Sequence, residues 1–121
     1  MEFKFDNNIP IYVQLVEQLK VDIISGKYSS GERLPSIREF AIMMKVNPNT
    51  MQKALVELEN IGLVYTERTN GKFVITDKKL IDKLKKEKAC ELTDKYFMSM
   101  GNIGFSNDDI FEYIKKYEGD K

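Results

Sequence analysis

The chain has 121 residues, of which 42% are hydrophobic and 31% are charged, and its 19 basic side chains balance 19 acidic ones. This composition predicts a soluble protein made of one globular domain, or of a small domain with an appendage. No apolar run reaches the roughly 18 residues of a membrane span, and residues 1–6 lack the apolar stretch of a signal peptide, so we expect a cytoplasmic protein. Because the chain has no histidine and one cysteine, Cys90, we expect no internal disulfide, metal, cofactor or enzymatic activity.

The first predicted helix begins at Pro10, which suits a first helical turn because the missing N–H costs nothing there. Apolar residues recur at helical spacing from Tyr12 to Ile23, and Gly26 ends the helix. A loop with Ser-Ser-Gly turn chemistry then leads to Leu34.

Two further helices are predicted to begin at residues that are typical of helix N-termini. Ser36, with Glu39 three residues later, predicts a capping box, and Asn47 followed by Pro48 predicts the start of the third helix. The expected buried residues are Ile37, Phe40, Ala41 and Met44 in the second helix, and Met51, Ala54, Leu55 and Leu58 in the third. The third helix then presents a polar outer face, and a helix presented in this way is suited to a DNA major groove.

A hairpin follows the three helices. The β-rich segments 63–67 and 73–76 flank an Asn-Gly pair, which favours a tight turn because both residues tolerate positive φ. The predicted fold class is mainly α with a small β-hairpin. We expect a winged helix-turn-helix domain over residues 1–76 and a two-helix C-terminal dimerisation region over residues 77–121.

Positive charge is concentrated in the two-helix motif. Residues 33–53 contain Arg33, Arg38, Lys45 and Lys53 against Glu39 alone, whereas ten basic residues balance ten acidic ones from 77 to 121. A local basic patch is sufficient for phosphate contact. The same cluster is also common on ordinary protein surfaces.

The C-terminal segment predicts a helix starting near Lys78, a break at 101–104, and a second helix capped by Ser106. These helices carry more apolar surface than they can hide from each other, which indicates a homodimer. Packing back on the N-terminal domain is the alternative. The candidate dimerisation residues are Leu80, Leu84, Leu92, Tyr96, Phe97, Ile110, Ile114 and Tyr117. Cys90 falls near the apolar stripe, so we expect it to be packed.

Four segments together resemble the GntR family of bacterial transcription regulators. They are IPIYVQL at 9–15, GERLPSIREFA at 31–41, VNPNTMQKAL at 46–55 and LENIGLV at 58–64, and the resemblance extends over roughly 9–75. The short tail is similar to that of the YtrA-like subfamily, which often controls transporter operons. The resemblance implies a sequence-specific regulator, a repressor that binds an inverted-repeat operator as a homodimer, with a small-molecule effector as a further expectation.

Arg38 is the best single candidate for DNA contact, because a guanidinium near the start of the second helix can reach a phosphate or a guanine edge. Asn47 can serve as a helix cap or as a base contact. Pro48 and Gln52 stand where many family members carry arginine, so the operators of relatives do not transfer directly. The candidate DNA-binding residues are Arg33, Ser36, Arg38, Asn47, Asn49, Thr50, Gln52, Lys53, Arg68, Asn70, Gly71 and Lys72.

Two alternatives stay open at this point. The first is a winged-helix module that binds a protein through its apolar tail and does not bind DNA. The second concerns the aromatic residues of the tail, Tyr96, Phe97, Tyr113 and Tyr117, which could line an effector pocket or form core.

Overall fold

A computed structural model describes residues 4–120, so residues 1–3 of the predicted winged domain and residue 121 of the predicted tail lie outside the described residues. The elements in chain order are α1 (Ile11–Ile24), α2 (Ile37–Met44), α3 (Pro48–Ile61), β1 (Val64–Glu67), β2 (Gly71–Val74), α4 (Lys78–Asn102) and α5 (Asn107–Gly119). This order confirms the predicted fold class of a winged helix-turn-helix followed by two helices. Within the described residues, no helix is long and apolar enough to cross a membrane.

The core of the winged region is built by the apolar stripes that the sequence predicts. Leu15 and Leu19 of α1, Phe40 of α2, and Met51 and Leu55 of α3 are essentially inaccessible to solvent. Burying an aliphatic or aromatic side chain of this size contributes about 1.5–3 kcal/mol. These side chains therefore fix α3 against α1 and α2, and they leave its opposite face outside.

Both predicted helix starts are present. The Ser36 hydroxyl accepts the Glu39 N–H at 3.1 Å, and the Glu39 carboxylate accepts the Ser36 N–H at 3.3 Å, which completes the capping box. Asn47 caps α3 with Pro48 at its first turn. Between the two helices Lys45 adopts a left-handed conformation, with φ 57°. The turn is thus made without glycine.

Gln14 holds the segment that precedes α1. Its side-chain carbonyl accepts the Asp6 N–H at 2.6 Å, and its side-chain amide donates to the carbonyls of Asp6 and Ile9 at 2.7 and 2.8 Å. Pro10 lies immediately before α1 and supplies no side-chain cap. A side chain inside the first turn of α1 therefore orders the backbone in front of it.

The wing is an antiparallel pair in which Val64 is opposite Val74 and Glu67 is opposite Gly71. A third segment joins it, because Arg33 forms an isolated bridge with Phe73. The Leu34 N–H donates to the Lys72 carbonyl at 2.8 Å, next to that bridge. The loop in front of α2 is thus tied directly to β2.

The described chain divides into two compact units, and the boundary along the chain falls between Leu84 and Lys85, within α4. We expected the division after Thr76. The start of α4 belongs to the first unit because Leu80, Ile81 and Leu84 pack against the winged-helix core.

The second unit has a small apolar centre of its own. Ile110 of α5 is fully buried, and the Phe97 and Phe111 rings meet edge to face with their centroids 5.5 Å apart. Ser106 and Asp109 form the predicted capping box at the start of α5.

Candidate nucleic-acid interface

The first turn of α3 is exposed and polar. The Asn47 side chain accepts the Asn49 N–H at 2.7 Å, so Asn47 acts as a cap in the free protein. Asn49 is exposed and Thr50 is half-buried. Because Met51 behind them is fully buried, the helix is anchored while its first-turn side chains can meet a ligand.

One turn further along, Gln52 and Lys53 are exposed on the outer face of α3. The Lys53 ammonium lies over the Tyr12 ring of α1, 3.8 Å from the ring centroid. A cation within about 6 Å of an aromatic centroid is attracted by the ring quadrupole. Lys53 is therefore a cation with a preferred position rather than a freely moving one.

Arg38 lies exposed in the first turn of α2. Among residues 4–120 its side chain has no hydrogen-bond or ion-pair partner. Its acidic neighbour Glu39 is engaged in the capping box with Ser36. The guanidinium, with its planar set of five donors, is available to an incoming phosphate or base edge.

Arg33 is held beside the wing. Its backbone pairs with Phe73, and a Cβ atom placed on Gly71 would lie 3.4 Å from Arg33 Nε. The basic side chain therefore lies along the bare backbone at the base of the hairpin turn. Sequence reasoning placed Arg33 in front of α2 and did not find this contact, because it joins segments far apart in the chain.

The hairpin turn consists of Arg68, Thr69 and Asn70, all exposed, between the paired residues Glu67 and Gly71. The Asn70 N–H donates to the Glu67 carbonyl at 3.3 Å, and Gly71 has φ 101°. The hairpin prediction relied on the tolerance of both Asn70 and Gly71 for positive φ. Only Gly71 has it, since a three-residue loop places a single left-handed residue after the turn.

Lys72 is not at the tip. It lies in β2 opposite Thr66, and its ammonium is ion-paired with the Glu59 carboxylate of α3. It also donates to the Thr66 hydroxyl at 2.9 Å, and that hydroxyl donates to Glu59 at 2.5 Å. In the free protein this charge therefore fastens the wing to α3.

The ion pair also affects Glu59 itself. Hydrogen bonds from Lys72 and then from Thr66 hold the pKa of Glu59 below its usual value. The carboxylate therefore stays ionised to a lower pH than an unperturbed glutamate. Glu59 is a residue of the site that sequence reasoning missed, because its role depends on a partner in the wing.

The candidate dimerisation residues fall into two groups. Leu80 and Leu84 pack against the core of the first unit, Ile110 is fully buried in the second, and Phe97 is half-buried there. Leu92, Tyr96, Ile114 and Tyr117 are exposed, by 38–55%. Met98, Ile103, Phe105, Phe111 and Tyr113 are also exposed.

The aromatic residues of the tail pack in pairs. Tyr96 meets Phe97 edge to face, and Tyr113 stacks on Phe105 with the ring centroids 6.1 Å apart. Three of the four aromatic residues that could line an effector pocket, Tyr96, Phe97 and Tyr113, are therefore packed against another aromatic ring. Cys90, which we expected to be packed, is exposed and lies 3.9 Å from an Asp94 carboxylate oxygen. Among the described residues no cluster of acidic or cysteine side chains could hold a metal ion.

Residues 11–74 match the family described as "Bacterial regulatory proteins, gntR family". Over 117 residues the chain is 33% identical to the HTH-type transcriptional regulator YhcF of Bacillus subtilis (strain 168), which covers 97% of each chain. It is 40% identical over 68 residues to the HTH-type transcriptional repressor YtrA of the same organism, covering 56% of this chain and 52% of YtrA.

Solved structures of transcriptional regulators are also similar to this chain. A GntR family transcriptional regulator from Listeria monocytogenes matches with a TM-score of 0.84 and 38% identity, over 93% of this chain and 98% of that one. The DNA-binding domain of AraR, solved in complex with operator ORE1, matches with a TM-score of 0.52 and 26% identity, over 61% of this chain and 93% of that one.

The chain belongs to the gntR family of bacterial regulatory proteins. It is a DNA-binding transcriptional regulator, in agreement with the expectation from the sequence that it is not an enzyme.

Proposed function

We propose that the chain is a repressor that binds an inverted-repeat operator as a homodimer. Two similarities support this proposal. YtrA is named a transcriptional repressor, and the DNA-binding domain of AraR binds its operator with a related fold. In this arrangement α3 enters the major groove and the wing reaches the adjacent minor groove.

The exposure of the Arg38 side chain and its lack of a partner are the main observations in support of this proposal. An exposed arginine without a partner in the described chain, at the start of α2, is poised for a charge-assisted and bidentate contact. A structural arginine would instead be paired within the protein. Here the acidic residue next in sequence, Glu39, accepts the Ser36 N–H instead.

Base reading falls to α3 in this proposal. The amides of Asn49 and Gln52 can pair with the N6 and N7 atoms of adenine, and Thr50 can meet a phosphate or a thymine methyl group. Asn47 primarily caps the helix. Since Pro48 and Gln52 replace arginines of many relatives, guanine reading by α3 is reduced and the operator is expected to be richer in A·T pairs.

In the wing, Arg68 at the exposed tip is the proposed minor-groove contact, with Asn70 and Gly71 allowing close approach. Lys72 contributes by fixing the wing through Glu59. Contact between Lys72 and DNA would require this ion pair to open.

Dimerisation is proposed to use the exposed apolar residues of the tail. Leu92 and Tyr117 are each 55% exposed in the isolated chain, and several other large apolar side chains of the second unit are similarly open. A dimer interface that buries these side chains would account for their number in so short a segment. A two-fold dimer would present two recognition helices to half-sites about 34 Å apart.

Footprinting on the promoter region of the chain's own gene tests the operator, its symmetry and the half-site spacing together. Two protected half-sites related by a dyad are expected. A titration at several salt concentrations should show log affinity falling linearly with log salt. Weak, salt-independent binding would instead favour the alternative, a protein-interaction module that does not bind DNA.

The Arg38→Ala substitution tests the proposed contact of Arg38 with the same operator. We expect a loss of roughly 1–3 kcal/mol in binding free energy. Lys115→Ala, which removes an exposed cation of α5 far along the chain from the motif, is the matched control and should bind normally. Unchanged affinity in the Arg38 variant would exclude this role.

The finer assignments rest on similarity. We propose membership in the YtrA-like subfamily, control of a transporter operon, and a site of action on chromosomal DNA in the cytoplasm. The 40% identity to YtrA over 68 residues supports the first of these. A small-molecule effector stays a prediction.

A further inference from the structure

The contact between α1 and α3 at Lys53 has a geometry that simple core packing does not require. Lys53 is exposed on α3, and Tyr12 is half-buried in the first turn of α1. The ammonium lies 3.8 Å from the ring centroid, well inside the roughly 6 Å limit for a cation–π interaction. The ring therefore occupies one side of the ammonium and leaves the other side open.

A lysine with this restraint differs from an ordinary surface lysine. The side chain has four flexible carbon–carbon links, and a phosphate contact normally requires it to give up that freedom on binding. A ring that already holds the ammonium removes part of this cost before the DNA arrives. The three N–H donors of the ammonium cannot all be used by an aromatic face, so donors are left for a phosphate oxygen.

The geometry points to Tyr12 as a positioning residue of the DNA interface, which holds the Lys53 ammonium over α1 so that it contacts a backbone phosphate beside the recognition helix. This inference rests on the proposed binding of DNA through α3. It adds that α1 belongs to the interface through the Tyr12 ring, acting by way of Lys53. Tyr12 was expected only as part of the apolar stripe of α1.

A double-mutant cycle separates positioning from a general structural role. The proteins are the wild type, Tyr12→Phe, Tyr12→Leu, Lys53→Met and the Tyr12→Leu/Lys53→Met double variant. Phenylalanine keeps the aromatic face, and leucine removes it while keeping an apolar side chain. Because a phosphate contact does not depend on sequence, fluorescence anisotropy with a labelled duplex of mixed sequence is a sufficient probe.

Tyr12→Leu should weaken binding about two- to fivefold in the wild-type background, and it should have almost no effect once Lys53 is methionine. Tyr12→Phe should bind as the wild type does. Lys53→Met should reduce the magnitude of the slope of log affinity against log salt by about 1. Any loss from altered folding is common to both backgrounds and cancels in the cycle.

Equal losses from Tyr12→Leu in both backgrounds would overturn the inference, because Tyr12 would then act on the fold alone. A Tyr12→Phe variant as weak as Tyr12→Leu would also overturn it, since the hydroxyl would be the active group. Absence of salt-dependent binding by the wild type would refute the proposed function as well. In that case the chemical shifts of the Lys53 ε-methylene protons, moved upfield by the ring and restored in Tyr12→Leu, would show that the pair exists without a DNA role.

Discussion

Replacing Gly71 with alanine tests how the wing turn is built. Gly71 has φ 101°, and a left-handed backbone costs a residue with a Cβ atom roughly 1–2 kcal/mol. The added methyl group would lie 3.4 Å from Arg33 Nε, which is ordinary van der Waals contact with a flexible side chain. Backbone strain therefore dominates, and we expect Gly71→Ala to lower the free energy of unfolding by about 1–2 kcal/mol.

Two other glycines supply controls for this measurement. Gly26 has φ 90° with no atom within 4 Å of an added Cβ, so Gly26→Ala carries the same backbone cost in the loop after α1. Gly101 is helical, and a Cβ there also meets nothing within 4 Å, so Gly101→Ala should stabilise the chain by up to about 1 kcal/mol. Urea unfolding followed by far-ultraviolet circular dichroism compares all three variants with the wild type.

DNA binding should then separate the two strained variants. Gly71→Ala alters the turn that carries Arg68 and the backbone beside Arg33, so its operator affinity should fall. Gly26→Ala should retain affinity at equal stability. A Gly71→Ala protein as stable as the wild type would refute the argument from backbone strain, and equal affinity of both variants would remove the wing turn from the interface.

Three further predictions concern the wing anchor, the helix cap and the dimer. Glu59→Gln should lower the free energy of unfolding by about 1 kcal/mol at neutral pH, a value reduced for the partial exposure of Glu59. Because the pKa of Glu59 is lowered by Lys72 and Thr66, this stabilisation is present above the ordinary carboxyl pKa and is lost as the pH falls through the folded-state value. Denaturant unfolding against pH should therefore show wild type and variant converging in acid, and a gap that is independent of pH would contradict this. Asn47→Ala should cost about 1 kcal/mol while Asn47→Ser retains the cap; loss of operator affinity in a fully stable serine variant would show that Asn47 also contacts DNA. Leu92→Glu should convert the proposed dimer to a monomer in sedimentation equilibrium, and an unchanged dimer mass would place the interface elsewhere.

Local signals were the part of this fold that sequence reasoning could predict. The capping boxes at Ser36 and Ser106 and the Asn47-Pro48 start of α3 are interactions between residues two or three apart. Their geometry follows from side-chain chemistry alone. The buried stripes were also predictable, because burial repeats with the period of the helix.

The parts that were missed depend on residues that meet only after folding. The ion pair of Lys72 was missed, because a three-residue loop sets the register so that Lys72 lies opposite Thr66 and reaches Glu59 of α3. The pairing of Arg33 with Phe73 joins a loop to a strand some forty positions later. No local pattern distinguishes a basic residue that faces solvent from one that meets a partner on another element.

The same limit applies to the tail. Apolar spacing identified α4 and α5 correctly, yet it could not assign Leu80 and Leu84 to the first unit and Leu92 to an open surface. All three lie on one continuous helix. Which part of a long helix is covered depends on the neighbouring elements, and the periodicity of the helix is the same in both parts.

The two faces of α3 can vary independently of each other. Met51, Ala54, Leu55 and Leu58 hold the helix in place and are fully buried, whereas Asn49 and Gln52 are exposed. Substitutions at exposed positions without partners usually change stability by less than about 0.5 kcal/mol. If Asn49 and Gln52 read bases as proposed, changes in operator preference can therefore accumulate at these two positions without loss of the fold, and exchanging them is a direct route to redirecting the protein to a different DNA sequence.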